Sequence, residues 1–491
     1  MFVFYLAVGL ILVFVLWGII SPEHLAASAD QAFAFTINGF GWFYLLAAFG
    51  FLIFSLYLAF SKYGNIRLGK DDERPEYSNL TWFAMLFSAG MGIGLIFWGV
   101  AEPLFHYMEP PMGLKGETVK SAQMAMRYAF FHWGLHPWAI YSVIALSLAY
   151  FQFRKGFPGL ISSTFYPLLG ERVNGLTGKM IDILAIIATV FGVATSLGLG
   201  TLQINGGINE VFGIPVEIRT QLLIIVIVTL LYMTSALTGI NRGIKTLSNI
   251  NITIAVFLLV FVLLLGPTVF ILDTFTLTLG GYLQYIIEMS LSLTPFSRRT
   301  WIGNWTLFYW AWWIAWAPFV GTFIARISKG RTIKEFVLGV LLVPSLFSCI
   351  WFSVFGGMAL HVEMFQGVDL AAAVQTDVTS ALFLALNQLP LSMFVSIIAI
   401  ILIITFFITS ADSATFVLGM FSLKGTLNPS NRIKLVWGVL QSSIAAVLLL
   451  SGGLDGLKTA SIVAALPFAF IMVLMCVSLR KALEAESKLL H

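Results

Sequence analysis

Apolar residues arrive in runs of about 20 along the whole chain, with short polar stretches between them. Such runs cover residues 2–20, 40–60, 82–105, 132–153, 180–205, 219–238, 248–272, 304–327, 335–358, 391–411, 433–452 and 459–479. A helix of about 20 residues crosses the roughly 30 Å hydrocarbon core of a bilayer, and it satisfies its own backbone while doing so. The pattern therefore predicts an all-α membrane protein of twelve transmembrane helices, with both termini on one side. Residues 2–20 (FVFYLAVGLILVFVLWGII) are read as the first span, because they lack the basic start and small-residue cleavage site of a signal peptide. The stretch 281–299 (GYLQYIIEMSLSLTPFSRR) departs from the pattern: it is short, carries Glu288 and ends in two arginines. It reads as an amphipathic helix lying along the membrane surface. It also divides the chain into two five-span blocks of similar length, 82–272 and 304–479, after two preceding helices in 1–60 and before a short tail, 480–491. Matched blocks of this kind invite an inverted repeat, as in many secondary transporters.

Composition narrows the class. Of 491 residues, 59% are hydrophobic and 10% charged, against about 25% charged in an average soluble protein, and mean hydropathy is +0.93. A soluble enzyme, a disordered chain and a nucleic-acid binder are excluded, and the net charge of +4 is too small for a polyanion-binding signal. The placement of charge is more informative. Of the 27 Lys and Arg, 20 fall in the even-numbered loops and the C-terminal tail; the seven on the other side are Lys115, Lys120, Arg127, Arg219, Arg298, Arg299 and Lys458. The asymmetry places the even loops and both termini in the cytoplasm of a cell-membrane protein. Cys349 and Cys476 lie inside apolar runs and read as buried small hydrophobes, with no disulfide framework.

Four stretches carry candidate chemistry. Gly90-Met91-Gly92-Ile93-Gly94 lies mid-way along the third span. Each glycine costs about 1 kcal/mol relative to alanine in a helix, so the helix is expected to unwind there. Unwound backbone at membrane depth lines a cavity or is buried in protein; its carbonyls can bind a cation and its N–H groups an anionic substrate group. Close helix packing through Gly90-xxx-Gly94 is the alternative. In the eighth span (WTLFYWAWWIAWAPF), Trp312, Trp313 and Trp316 share one helix face near the middle, where an interfacial belt does not account for them. Three indoles make a wall of negative π surface that holds a quaternary ammonium, a group with no N–H for hydrogen bonds. In the fourth span, Trp133 and Tyr141 are two turns apart on nearly one face; His132 and His136 are spaced i,i+4 but lack the further ligands and base of an HExxH zinc site. In the tenth span, Phe406, Thr409 and Ser410 precede Asp412. Their hydroxyls suit a hard monovalent cation, or else bond back to carbonyls of their own helix. Asp412 and Glu102 are acids near membrane depth and hence functional candidates. The sequence carries no P-loop, nucleophile elbow or metal-enzyme motif, so the chain reads as a non-enzyme without a cofactor.

FSAGMGIGLIFWGVAEP, NRGIKTLSNINI and WTLFYWAWWIAWAPFVGTFIARISKGR together resemble the betaine/choline/carnitine transporter family, and the match runs over nearly the whole chain. The resemblance implies a LeuT-type core of two inverted five-helix repeats after two extra helices, alternating access and a homotrimer. It implies an aromatic box of Trp133, Tyr141, Trp312, Trp313 and Trp316, with Phe308 and Phe323 gating its two sides. It implies a sodium site at Ser88, Met91, Phe406, Thr409 and Ser410. A second sodium site in coupled members matches at Thr189 and Phe319, but Val193 stands where that site has a second threonine. Choline carriers of the family resemble one another in having aspartate at the third glycine. Gly94 therefore favours a substrate that brings its own carboxylate. The expectation is a sodium-coupled symporter for a zwitterionic compatible solute, glycine betaine foremost, with its ammonium in the box and its carboxylate facing the backbone of Gly90, Met91, Gly92 and Gly94. A sodium-independent exchanger, a proton-coupled carrier of a related betaine, carnitine or choline, and a passive channel are the alternatives.

Overall fold

The computed structural model describes residues 1–90, 92–238, 241–297, 300–426 and 428–489. Fourteen long helices carry the architecture among these residues: α1 Phe2–Ile20, α2 Pro22–Phe60, α3 Asn79–Gly90, α4 Ile93–Met108, α5 Val119–Trp133, α6 Leu135–Ala149, α7 Leu176–Phe212, α8 Ile218–Thr238, α9 Asn241–Leu265, α10 Thr268–Leu291, α11 Phe308–Ile327, α12 Ile333–Phe365, α13 Ser392–Ser422 and α14 Asn431–Leu489. No strand occurs among the described residues; one isolated bridge pairs Arg67 with Thr332. Eleven helical segments are long and apolar enough to cross a membrane. The third span falls on α3 and α4, neither of which is long enough alone. The eleventh and twelfth fall on α14, which bends at Gly453, a residue in the left-handed region (φ 55°).

Several boundaries differ from the sequence reading, and α2, expected from residue 40, begins at Pro22. The helix after α9 begins at Thr268 and ends at Leu291, where residues 281–299 were expected. Pro267 supplies no N–H and restricts the residue before it, so the apolar run 248–272 is cut at Gly266. Residues 292–297 are not helical, and Arg298 and Arg299 lie outside the described residues. The fourth span is also broken, at Gly134, into α5 and α6. The tail continues α14 as helix to Leu489.

α6, α7, α11 and α12 pack at the centre. Nearly every residue of α6 is buried, whereas α1, α8, α9 and α10 present large apolar side chains outward, as helices facing lipid do. At the lysine-rich end the loop after α2 is tied to the loop after α11. Leu68 N–H donates to Arg331 O (2.8 Å), and Gly330 N–H donates to Leu68 O (2.8 Å). The Arg331 guanidinium covers the Trp82 ring at 3.9 Å and donates to Asn79 Oδ1 (2.8 Å), fastening the start of α3 to the same loop.

Candidate functional site

The site is built where helices are broken. Between α3 and α4, Gly92 is extended (φ −162°, ψ 176°) and precedes the first turn of α4. Met91, expected in both the substrate and the sodium sets, lies outside the described residues. The first N–H groups of a helix have no acceptor four residues back; Leu95 N–H is met by Gly92 O (3.2 Å), and ahead of it α4 presents the N–H groups of Ile93 and Gly94 and the positive end of its dipole. At Gly134 there is no room for a side chain: a Cβ would lie 2.5 Å from Phe130 O and 2.8 Å from the Tyr282 hydroxyl. The break leaves backbone groups for other partners. His132 O accepts the Trp313 indole N–H (3.1 Å), and Leu135 N–H donates to the Tyr282 hydroxyl (3.0 Å).

The five expected box aromatics line one cavity together with Gly92 and Gly94. Trp312 and Trp313 stack at 4.8 Å and 15°, Trp133 meets Trp313 edge-on at 4.8 Å and 77°, and Tyr141 meets Trp313 at 6.2 Å and 80°. Gly94 touches the rings: a Cβ there would lie 2.3 Å from Trp312 and 3.1 Å from Trp133. The cavity measures about 40 Å³, room for a few waters, so the rings are drawn together. Phe308 is fully buried and stacks on Trp312 at 5.5 Å and 15°. Trp316 donates to Gly192 O (2.7 Å).

Behind the cage lies a network whose members Glu102, His132 and Trp133 the sequence marked separately, with nothing to join them. The Glu102 carboxylate is fully buried. Oε2 accepts from Trp133 Nε1 (2.8 Å) and the Tyr309 hydroxyl (2.6 Å); Oε1 meets His132 Nδ1 (2.6 Å) and His106 Nε2 (3.2 Å). Donor atoms of Glu102, His106 and His132 lie within 4.8 Å of one another, the spacing of a metal site. The 2.6 Å contact is a hydrogen bond, and the other nitrogen of His132 is bonded to Thr306 Oγ1 (2.9 Å). The cluster is thus the solvation shell of a carboxylate, and it holds Trp133 by its N–H. The i,i+4 pair Glu102/His106 was the available signal; the partners from α5 and α11 meet it only in the fold. Lys458, counted from sequence among outer-loop charges, has its ammonium among the rings of Trp305 (4.7 Å), Phe308 (5.1 Å) and Trp98 (5.4 Å).

A second cavity of about 910 Å³ opens toward the lysine-rich end. Ser88, Phe406, Thr409 and Ser410, the described members of the expected sodium set, all line it. The Thr409 hydroxyl is held by its own helix at Thr405 O (3.0 Å) and accepts Asn251 Nδ2 (3.1 Å), and Asp412 Oδ2 accepts the Ser235 hydroxyl (2.7 Å). Phe319 and Phe323 are in this wall, Phe323 being 37% exposed. Thr189 lines neither of these two cavities; it is fully buried and donates to Ala185 O (2.7 Å), while Phe319 lines the larger one. Trp316 lines both cavities. At the mouth, Lys329 meets Glu73 at 2.6 Å. That hydrogen bond holds the Glu73 carboxyl below its ordinary value.

The chain is similar to known proteins along its length. The model of the BCCT family, the betaine/carnitine/choline family transporters, matches residues 2–488. The glycine betaine transporter OpuD of Bacillus subtilis is 53% identical over 99% of this chain and 95% of its own length. The ectoine/hydroxyectoine transporter of Virgibacillus pantothenticus is 48% identical, covering 99% and 97% of the two chains. The glycine betaine transporter of Acinetobacter baylyi is 44% identical over 99% of this chain and 73% of its own length.

Proposed function

Because the chain belongs to the betaine/carnitine/choline family of transporters, we propose that it is a secondary symporter importing a zwitterionic quaternary-ammonium solute, glycine betaine foremost, with sodium. The observation that carries this reading is the cage of Trp133, Tyr141, Trp312 and Trp313 abutting the start of α4. Indole faces attract a permanently charged ammonium through their quadrupoles, at about 2 kcal/mol or more per desolvated ring. The free N–H groups and dipole of α4 suit the carboxylate of the same molecule. Gly94 puts no acid in the cavity wall, and the Glu102 carboxylate behind it is already met by four partners, so the substrate's own carboxylate balances its ammonium. Ectoine, a relative's solute, is the alternative zwitterion.

Sodium coupling rests on Ser88 facing Phe406, Thr409 and Ser410 across the large cavity. Oxygens from α3 and α13 are hard ligands of the kind a small cation takes. The lysine-rich end of the protein is assigned to the cytoplasm and the structure to an inward-facing state. Both termini are then cytoplasmic, the repeats are inverted and LeuT-type, and the working assembly is a homotrimer in the cell membrane.

The test is uptake of labelled glycine betaine by proteoliposomes under an inward sodium gradient, with potassium in its place as control. Concentrative uptake in sodium alone is expected. Equal uptake in both would overturn the coupling, and flux without accumulation would replace the symporter by a channel.

A further inference from the structure

The walls of the central cavity contain a hydroxyl that no aromatic box calls for. Ser348, on α12, lines the cavity with Gly92, Gly94, Trp133, Trp312 and Trp313. It is 4% exposed. A serine in a buried helix ordinarily bonds back to the carbonyl four residues earlier, as Ser353 does to Cys349 O at 2.9 Å. Ser348 makes no such bond and has no other hydrogen-bond partner among the described residues. Its oxygen is open to the cavity, unlike the sealed Ser345 hydroxyl one turn before it, and an unpaired hydroxyl in a ligand cavity is a vacant donor.

Its neighbours fix where that donor sits. Trp351, one turn along the same face, donates to Leu95 O at 3.0 Å. Phe352 packs on Trp133 at 5.4 Å. α12 therefore lies against the first turn of α4 and the rim of the cage at once. Trp133 is committed to Glu102, Trp313 to His132 O and Trp316 to Gly192 O, and the Ser196 hydroxyl leans on Gly192 O at 3.5 Å; the Trp312 N–H is unpaired but sealed from the cavity, which leaves the Trp138 N–H and the Tyr141 hydroxyl as the other open donors of the wall.

We propose that Ser348 is a specificity-determining residue that donates its hydroxyl to the carboxylate of the substrate, completing with the N-terminus of α4 an anion pole opposite the aromatic cage. The inference rests on the proposed transport of a zwitterion and names the side chain that reads its negative end. A hydrogen bond from a hydroxyl to a carboxylate is charge-assisted and contributes about 1.5–3 kcal/mol, so its loss weakens binding by roughly 10-fold or more. A substrate without a carboxylate gains nothing from it.

The experiment titrates the purified full-length transporter, by its own tryptophan fluorescence, with glycine betaine and with tetramethylammonium, which presents the ammonium alone. Ser348→Ala is expected to weaken glycine betaine roughly 10-fold while tetramethylammonium affinity stays within twofold. Ser348→Thr, which keeps the hydroxyl, restores most of the loss and guards against a variant that fails to fold. Tyr141→Phe serves as comparator, since it removes the other cage hydroxyl and keeps the ring. Equal weakening of both ligands by Ser348→Ala, no weakening of either, or a glycine-betaine-selective loss found in Tyr141→Phe instead would overturn the assignment. Failure of the wild type to bind either ligand would refute the zwitterion reading itself, a result distinct from any of these.

Discussion

Gly94 has a ring where its side chain would go. A methyl group there overlaps Trp312 at 2.3 Å, and an indole buried on all sides cannot withdraw without a rotamer change or a cavity elsewhere. Gly94→Ala is expected to weaken glycine betaine by about 10-fold or more with the fold intact, checked by fluorescence titration beside size-exclusion chromatography. Trp313→Leu is expected to do as much, since it removes the ring that meets Trp133, Tyr141 and Trp312 together. Trp42→Leu is the control, because Trp42 is 53% exposed and far from the cage in its contacts; equal losses in the two variants would remove the case for a local cage. Glu102 is tested differently. Trp133 and Tyr309 donate to it, and its two histidines meet it in the tautomers an ionised carboxylate calls for, so Glu102→Gln either sets an amide N–H against another N–H or O–H or forces the histidines into the other tautomer. An unsatisfied buried donor costs about 1–3 kcal/mol, and the loss is expected both in thermal stability and in affinity, because Trp133 is released. The cage tryptophans were legible in the sequence because mid-membrane indoles on one face have few structural uses. Ser348 was not: one serine in an apolar run reads as a hydroxyl bonded to its own helix, and only its neighbours in space show otherwise.

At the scale of elements, function sits at breaks. The glycines at 90, 92 and 94 announced the first break through their cost to a helix. The break at Gly134 carried no comparable signal, because a single glycine in an apolar run is common and the partner that fills the gap, Tyr282, comes from a helix nearly 150 residues away. α10 thereby props the bend beside Trp133. Tyr282→Phe leaves Leu135 N–H without its acceptor, and KM for glycine betaine is expected to rise severalfold with kcat little changed; a fall in kcat at constant KM would place the role of Tyr282 elsewhere. The start of α10 was misread for a related reason: Gly266-Pro267 lies inside a continuous apolar run, where hydropathy alone does not register a stop. The end of α14 carries a clamp of another kind. Glu486 is gripped by Arg154, by Lys155 (2.8 Å) and by the Tyr150 hydroxyl. Burial pushes its carboxyl up, but these three partners outweigh burial and leave it below the ordinary 4.5. A carboxyl depressed on folding stabilises fully above its unfolded value and loses that stabilisation as pH falls through the folded one. The tail is therefore expected to stay docked at neutral pH and to loosen only below about pH 4.5, read as lost protection of the amides of residues 480–489 from hydrogen exchange. Glu486→Gln should give the lost protection already at pH 7.

At the scale of the whole molecule, the apolar runs were enough to read a helical membrane protein, because they follow from transfer energies that act locally. The two cavities are different: each is walled by helices far apart in sequence, and their common boundary at Trp316 exists only in the fold. That boundary separates a cage drawn tight from a vestibule standing open. The proposed sodium ligands span the vestibule, Ser88 on α3 and Phe406, Thr409 and Ser410 on α13. An ion bound by both helices favours whichever state brings them together, by the difference in its affinity for the two states. Sodium should therefore close the vestibule. Ser413 lines it and is nearly isosteric with cysteine. With Cys349 and Cys476 replaced by alanine, Ser413→Cys is expected to react with a membrane-impermeant thiol reagent supplied from the lysine-rich side. The rate should fall severalfold when sodium replaces potassium, and further when glycine betaine is added. A channel holds one open path under every condition and would show a single rate throughout; a sodium-independent exchanger would respond to glycine betaine and ignore the cation. Only a symporter in which the ion closes one side before the substrate crosses yields both steps in that order.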